Sequence, residues 1–264
     1  MMLYSLLALA YAFLYLPIVV MIVFSFNASN LVTVWGGFST KWYGELLHDQ
    51  KVLDAAWLSL KVAMTSATLS TVLGTLAAVA LVRFHRFTGR TLFTGMVTAP
   101  LVMPEVITGL ALLLLFVAME HAFGWPAGRS MTTIVIAHTT FSLSFVTVVV
   151  RSRLAQMDAS LEEAAMDLGA RPLRVFMTIT LPLIMPALLA GWLLAFTLSI
   201  DDVVISAFVS GPGATPLPIV IFSKVRLGVN PEINALATIV VALVGIAMAI
   251  AGRVALGREQ SRRV

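Results

Sequence analysis

Cysteine is absent from the 264-residue chain, which excludes a disulfide framework and any thiolate metal site. Charge is scarce: charged residues make up 11% of the sequence against 59% hydrophobic ones, a balance that excludes an ordinary soluble globular domain. The sequence contains no G-x-x-x-x-G-K-[ST] phosphate cradle, no H-E-x-x-H pair and no G-x-S-x-G elbow. It therefore offers no ATP site of the usual kind, no zinc-protease helix and no hydrolase nucleophile. His48, His85, His121 and His138 are scattered, which argues against a metal site. The expectation is a chain with no metal and no cofactor of its own.

What fills the sequence is long apolar runs, several of them near the ~20 residues that cross a bilayer. They predict an all-α integral membrane protein, a single domain over residues 1–264 with six transmembrane helices. The spans are expected at about Leu3 to Phe26, Ala55 to Val82, Leu92 to Met119, Met131 to Val150, Leu183 to Val209 and Glu232 to Ala251. The first run is too long for a signal-peptide core and is kept as a span. Asn27 to Asp54 reads as a polar and aromatic loop, and Ser210 to Pro231 as a Gly- and Pro-rich one. Eleven arginines fall in the loops after spans two and four and in the tail: 83, 86, 90, 151, 153, 171, 174, 253, 258, 262 and 263. The opposite side holds Lys41, Lys51, Lys61, Arg129, Lys224 and Arg226. The positive-inside rule then puts both termini and the loop after span four in the cytoplasm. The same asymmetry explains a pI of 9.8 without nucleic acid as a partner.

That cytoplasmic loop, Asp158 to Pro182, is the most structured polar stretch. Ser160 followed by Glu163 has the spacing of a capping box. Leu161, Ala164, Ala165 and Leu168 recur at three- and four-residue spacing, and Glu162, Glu163 and Asp167 line the other side. Gly169 suits a left-handed helix end. Arg171, Pro172 and Arg174 open a second segment running into Ile179, Leu181 and Pro182. Two readings stand: a helix whose small alanines let a partner protein approach closely, or a plain surface connection between spans.

Ionisable groups inside spans are costly and mark a pathway or an internal partner. Glu105 lies about thirteen residues, or ~20 Å, into the third span. Asp201 and Asp202 reach a similar depth in the fifth, and adjacent helical positions diverge by ~100°, so one of the two is expected to face a path. With no lysine or arginine expected at that level, a transported ammonium would supply the missing charge; the alternatives are protonation or a helix-capping role. Pro100 and Pro104 break the helix beside Glu105, and either free carbonyls for a cation or make a packing kink. Trp35, Trp42, Tyr43 and Trp125 offer cation-binding faces or an interfacial belt, and the belt is the commoner use.

Glu163-Ala164-Ala165, three residues, Gly169, nine residues, then Ile179-x-Leu181-Pro182 matches the EAA signature of ABC-importer permease subunits at each anchoring position. Leu16-Pro17, Phe24-Ser25-Phe26-Asn27, TAPLVMPEVITG from Thr98 to Gly109, FTLSIDD from Phe196 to Asp202 and NPEINALAT from Asn230 to Thr238 narrow this. Along essentially the whole chain the sequence resembles polyamine-importer permeases of the PotC/PotI type, the putrescine branch most of all. It departs at an N-terminus bare of basic residues and at Glu105, where that branch has aspartate.

The resemblance implies a type I ABC importer permease fold with a cytoplasmic coupling helix that docks into an ATPase. Docking would involve Glu162, Glu163, Ala164, Ala165, Asp167 and Gly169. Glu105, Asp201, Asp202, Trp35 and Tyr43 would line the substrate path. A cytoplasmic ATPase dimer using ATP and Mg, a second homologous permease and a periplasmic polyamine-binding protein are the implied partners, within the bacterial inner-membrane bilayer. A permease for another small organic cation is the nearest alternative. Two rivals come from other classes: an intramembrane aspartyl-type protease, formally built on Glu105 with Asp201, and a passive channel with no ATPase to dock.

Overall fold

The computed structural model describes residues 2–31, 34–84, 86–227 and 231–242. Among them are twelve α-helices and one π-helical turn: α1 Met2–Phe24, α2 Lys41–His48, α3 Gln50–Arg83, α4 Arg90–Val102, α5 Glu105–Phe123, α6 Met131–Ala155, α7 Ser160–Asp167, α8 Pro172–Val175, the π-turn Phe176–Thr180, α9 Leu181–Ile200, α10 Val204–Val209, α11 Leu217–Leu227 and α12 Pro231–Ala242. Five helical stretches are long and apolar enough to cross a membrane: Tyr4–Phe24, Gln50–Arg83, Glu105–Phe123, Met131–Ala155 and Pro172–Ile200. The expected sixth span begins as α12, and its predicted end at Ala251 and the four tail arginines lie outside the described residues.

The chain divides into two units, Met1–Leu53 with Ile221–Val264, and Asp54–Val220. In the first, α1 is apolar on every side and none of its span window is buried, as befits a helix solvated by lipid. The predicted loop after it is built on Asn27. Its buried side-chain amide donates to the carbonyls of Leu31 and Val34, and its side-chain oxygen accepts from the N–H groups of Ser29 and Gly36. This loop is also more helical than expected, because α2 forms within it and α3 already begins at Gln50. At the other end of the unit, Lys224 bridges Asp49 at 2.7 Å and Glu232 at 2.9 Å.

In the second unit α6 is the central rod, buried along most of its length. Val146 sits between α3 and α9, where a Cβ at Gly74 would come within 2.9 Å of its side chain. Glycine at that position lets two helices meet at a distance any larger residue would forbid. One apolar cluster gathers Val146, Val150, Leu154, Ile184 and Ala195, and a second joins Leu112, Phe116, Ile134, Ile205 and Val209.

Two predicted spans are interrupted. The third stops at Val102 and restarts at Glu105, because Pro104 has no N–H to give and forces Met103 into an extended conformation (ψ 134). The fifth ends at Ile200, and α10 starts at Val204. The loop predicted from Ser210 to Pro231 contains α11, whose Leu217 amide donates to Ser59 Oγ on α3.

Candidate functional site

The interruptions change the setting of the acidic residues. Glu105 is not deep within a continuous helix: it is exposed and is the first residue of α5, near the positive end of a 19-residue helix dipole. The Pro104 carbonyl before it accepts the Ile107 and Thr108 N–H groups and so starts the new helix. Asp201 and Asp202 do not diverge around a helix as expected, since both lie in the break between α9 and α10. Asp201 is exposed at the α9 terminus. Asp202 turns inward, its side chain 8% exposed, and takes the first N–H groups of α10, Ile205 at 3.1 Å and Ser206 at 2.7 Å.

Asp202 also meets His138, a residue sequence reasoning set aside as isolated. His138 on α6 is 2% exposed, and its Nε2 lies 3.1 Å from Asp202 Oδ2 while its Nδ1 lies 2.6 Å from Ser199 Oγ. Ser66 on α3 donates to Ser199 Oγ at 3.0 Å. Ser199 thus joins Ser66 to one ring nitrogen of His138, while the other ring nitrogen meets Asp202 and, at 3.1 Å, Ser206 Oγ. The hydrogen bonds thus link α3 through α9 and α6 to the break. A pair of polar residues 64 positions apart carries no local spacing, and this is why the sequence hid it.

The expected aromatic residues belong to the other unit. Trp35 is exposed, with its ring edge-on to Phe24. Tyr43 is knitted into the fold by a 2.6 Å hydrogen bond to Ser25 Oγ and by packing on Phe26. Trp42 is buried and donates to the Asn27 carbonyl at 2.7 Å, and the Lys41 ammonium lies 4.2 Å from its ring centre.

On the predicted cytoplasmic loop the helix forms as α7, but Ser160 does not cap it. Asp158 accepts the Ser160 N–H at 3.0 Å, so the turn begins earlier and Ala159 is already helical (φ −64, ψ −24). Hydrogen bonds from the Ser160 amide and hydroxyl hold the Asp158 carboxyl below its ordinary pKa. The far end closes as read: Gly169 has φ +86, its N–H bonds to the Met166 carbonyl and the Ala170 N–H to that of Ala165. Glu163, Ala164, Asp167 and Gly169 are exposed, with Leu161 and Leu168 beside them, Leu168 at 90%. Ala165 is half-buried. Glu162 faces the other way, toward the spans, where its Oε1 accepts from Arg83 and Thr180, each at 2.6 Å.

Residues 70–258 match the family model described as binding-protein-dependent transport system inner membrane component. The chain is 60% identical to the putrescine transport system permease protein PotI of Escherichia coli (strain K12), over 97% of this chain and 91% of that protein. It is 44% identical to the spermidine/putrescine transport system permease protein PotC of the same strain, over 96% and 92%. Among solved structures, it resembles a bacterial ABC transporter involved in the import of the acidic polysaccharide alginate. The TM-score is 0.66 at 18% identity, over 95% of this chain and 94% of that one, a likeness of fold alone. Helices broken at carboxylates, an exposed capped helix between spans and these matches agree: the chain belongs to the binding-protein-dependent inner membrane components of ABC importers, in their polyamine-permease branch.

Proposed function

We propose that this chain forms, with a second permease, the path by which an ATP-driven importer takes up polyamines, putrescine foremost. The observation that carries the cargo is the 60% identity to a putrescine permease along nearly the whole chain. The structure supports a cationic passenger in one specific way: Glu105 and Asp201 are exposed at two interruptions of the spans, while Asp202, next to Asp201 in the chain, is engaged by His138 and the α10 amides. A diammonium would find two carboxylates whose charge the described ion pairs do not spend. Trp35 offers an exposed ring face, and Tyr43 serves chiefly to hold its loop.

α7 supplies the other half of the reading. Its exposed side, with Leu161, Glu163, Ala164, Asp167 and Leu168, presents a small apolar patch edged with negative charge to a cytoplasmic ATPase. The ATPase dimer would bind ATP and Mg, this chain none. Closing of the dimer would move α7 and tilt the spans, a periplasmic binding protein would deliver the polyamine, and both termini would face the cytoplasm. The engagement of Asp202 removes it from any catalytic pair, and the protease reading on Glu105 with Asp201 is disfavoured by the 60% identity to a permease.

The test is uptake of labelled putrescine, spermidine and an uncharged control into vesicles holding the assembled complex, with and without ATP. ATP-dependent accumulation of the amines alone is expected. Flux without ATP would favour the channel, and transport of the neutral control would remove the cation reading. Gly169→Leu should leave the complex assembled and hydrolysing ATP but poorly coupled, because a side chain at φ +86 costs about 1–2 kcal/mol and reshapes the helix end.

A further inference from the structure

Glu162 is separated from its neighbours on α7 by what it touches. No residue of α7 is buried, so the helix is not embedded in the apolar core of its unit. Behind it lies a cavity of about 250 Å³, lined by Val79, Phe84, Met166, Pro172, Val175 and Phe176, with Arg83, Glu162 and Thr180 also in its wall. α7 also meets α8 and the π-turn directly, on the near side of this half-open space. What bridges the space is polar. Arg83 Nη2 and Thr180 Oγ1 both donate to Glu162 Oε1 at 2.6 Å, and the Arg83 and Glu162 side chains are only 25% and 15% exposed.

The two donors stand at the ends of two spans. Arg83 is the last residue of α3, where the helix dipole favours a cation. Thr180 is buried and closes the π-turn that feeds α9; that turn widens where Pro182, lacking an N–H, cannot donate in the helical ladder. From there α9 runs 20 residues, ~30 Å, to the break that exposes Asp201. α3 carries Ser66, which is hydrogen-bonded through Ser199 and His138 to Asp202. A displacement of Glu162 thus acts on α3 and α9, two of the helices joined by the hydrogen bonds that reach the fifth-span break.

We infer that Arg83, Glu162 and Thr180 form a strut that carries movement of α7 into α3 and α9. Glu162 is then a positioning residue for coupling and not part of the ATPase contact, for which Glu163 and Asp167 remain exposed. The inference rests on the reading of α7 as the helix an ATPase pushes.

The experiment compares the assembled wild-type complex with R83M, E162Q, T180V and the combined charge exchange R83E with E162R. The readouts are ATP hydrolysis, retention of the ATPase on the membrane, and putrescine taken up per ATP hydrolysed. R83M and E162Q should keep the ATPase bound and active while uptake per ATP falls about tenfold, T180V should lose about threefold, and the exchange should recover most of the loss, as contacting pairs do in double-mutant cycles. If the single variants do not assemble, assembly of the exchanged pair supports the strut, and its failure to assemble overturns it. Unchanged uptake per ATP in R83M and E162Q overturns it too, as does an E162Q complex that sheds its ATPase and is not rescued by the exchange. Failure of the wild-type complex to couple ATP to uptake would instead remove the underlying reading of α7.

Discussion

The third and fifth spans are both interrupted at acidic residues, yet the two breaks are built by opposite means. Proline makes the first. Pro104 ends one helix, starts the next and leaves Glu105 exposed, so the break needs no partner to persist. The second has no proline at its centre and persists because Asp202 takes the amides of α10 and the imidazole of His138. One acid there is consumed in holding the structure, and its neighbour Asp201 is left exposed. The lesson is that an ionisable residue inside a span does one of two jobs, and burial separates them: at the fifth break adjacent residues divide the two between them.

This contrast can be broken most directly at His138. His138→Leu should cost about 3 kcal/mol, read as a lowered unfolding midpoint of the purified protein in detergent, because a buried carboxylate loses its partner. His138→Gln, whose amide can still donate to Asp202 and accept from Ser199, should recover about half of that. No change of midpoint in His138→Leu would mean the fifth break does not depend on the buried chain of hydrogen bonds.

At the exposed acids the expected signature is reversed. Glu105→Gln and Asp201→Asn should each lower kcat/KM for putrescine about tenfold, or about 1.4 kcal/mol, while the unfolding midpoint stays within ~0.5 kcal/mol of wild type. A midpoint that falls with uptake unchanged would place those two with Asp202.

The smallest effect is expected at the ion cluster of Lys224 with Asp49 and Glu232. The hydrogen bond from Lys224 holds the Asp49 carboxyl below its ordinary pKa, with burial opposing and the Val52 and Lys51 amides assisting. Burial pulls the Lys224 ammonium down, but its bonds to Asp49 and Glu232 more than reverse this and leave it raised. The Asp49 contribution is present above ~3.9 and lost as pH falls through the depressed folded value; that of Lys224 is present below ~10.4 and lost as pH rises through the raised one. Lys224→Met should therefore cost about 1 kcal/mol or less, by an amount that does not vary between about pH 5 and 9. A difference that changes across that window, followed by thermal unfolding, would show that another titrating group controls the cluster.

Much of this was legible along the chain. Five of the six expected spans contain long apolar helices, the third and fifth with an interruption, because lipid demands length and hydropathy and both are local properties. The Gly169 helix end was legible for the same reason, a left-handed turn being a one-residue requirement. Ser160 misled, since Asp158 two positions earlier competes for the same amides and starts the turn first. Nothing in FTLSIDD breaks a helix, so the sequence places Asp201 and Asp202 in one; the break comes from α6, which carries His138 to within 3.1 Å of Asp202.

By itself, then, the sequence determined that the chain is a helical membrane protein and where its long apolar spans and its signature loop lie, since each depends on composition, periodicity or a motif over a few turns. Only the tertiary structure decided which acids are spent and which are exposed. That division rests on contacts between residues far apart in the chain, Glu162 with Arg83 and Asp202 with His138, and such distances appear only once the helices have packed.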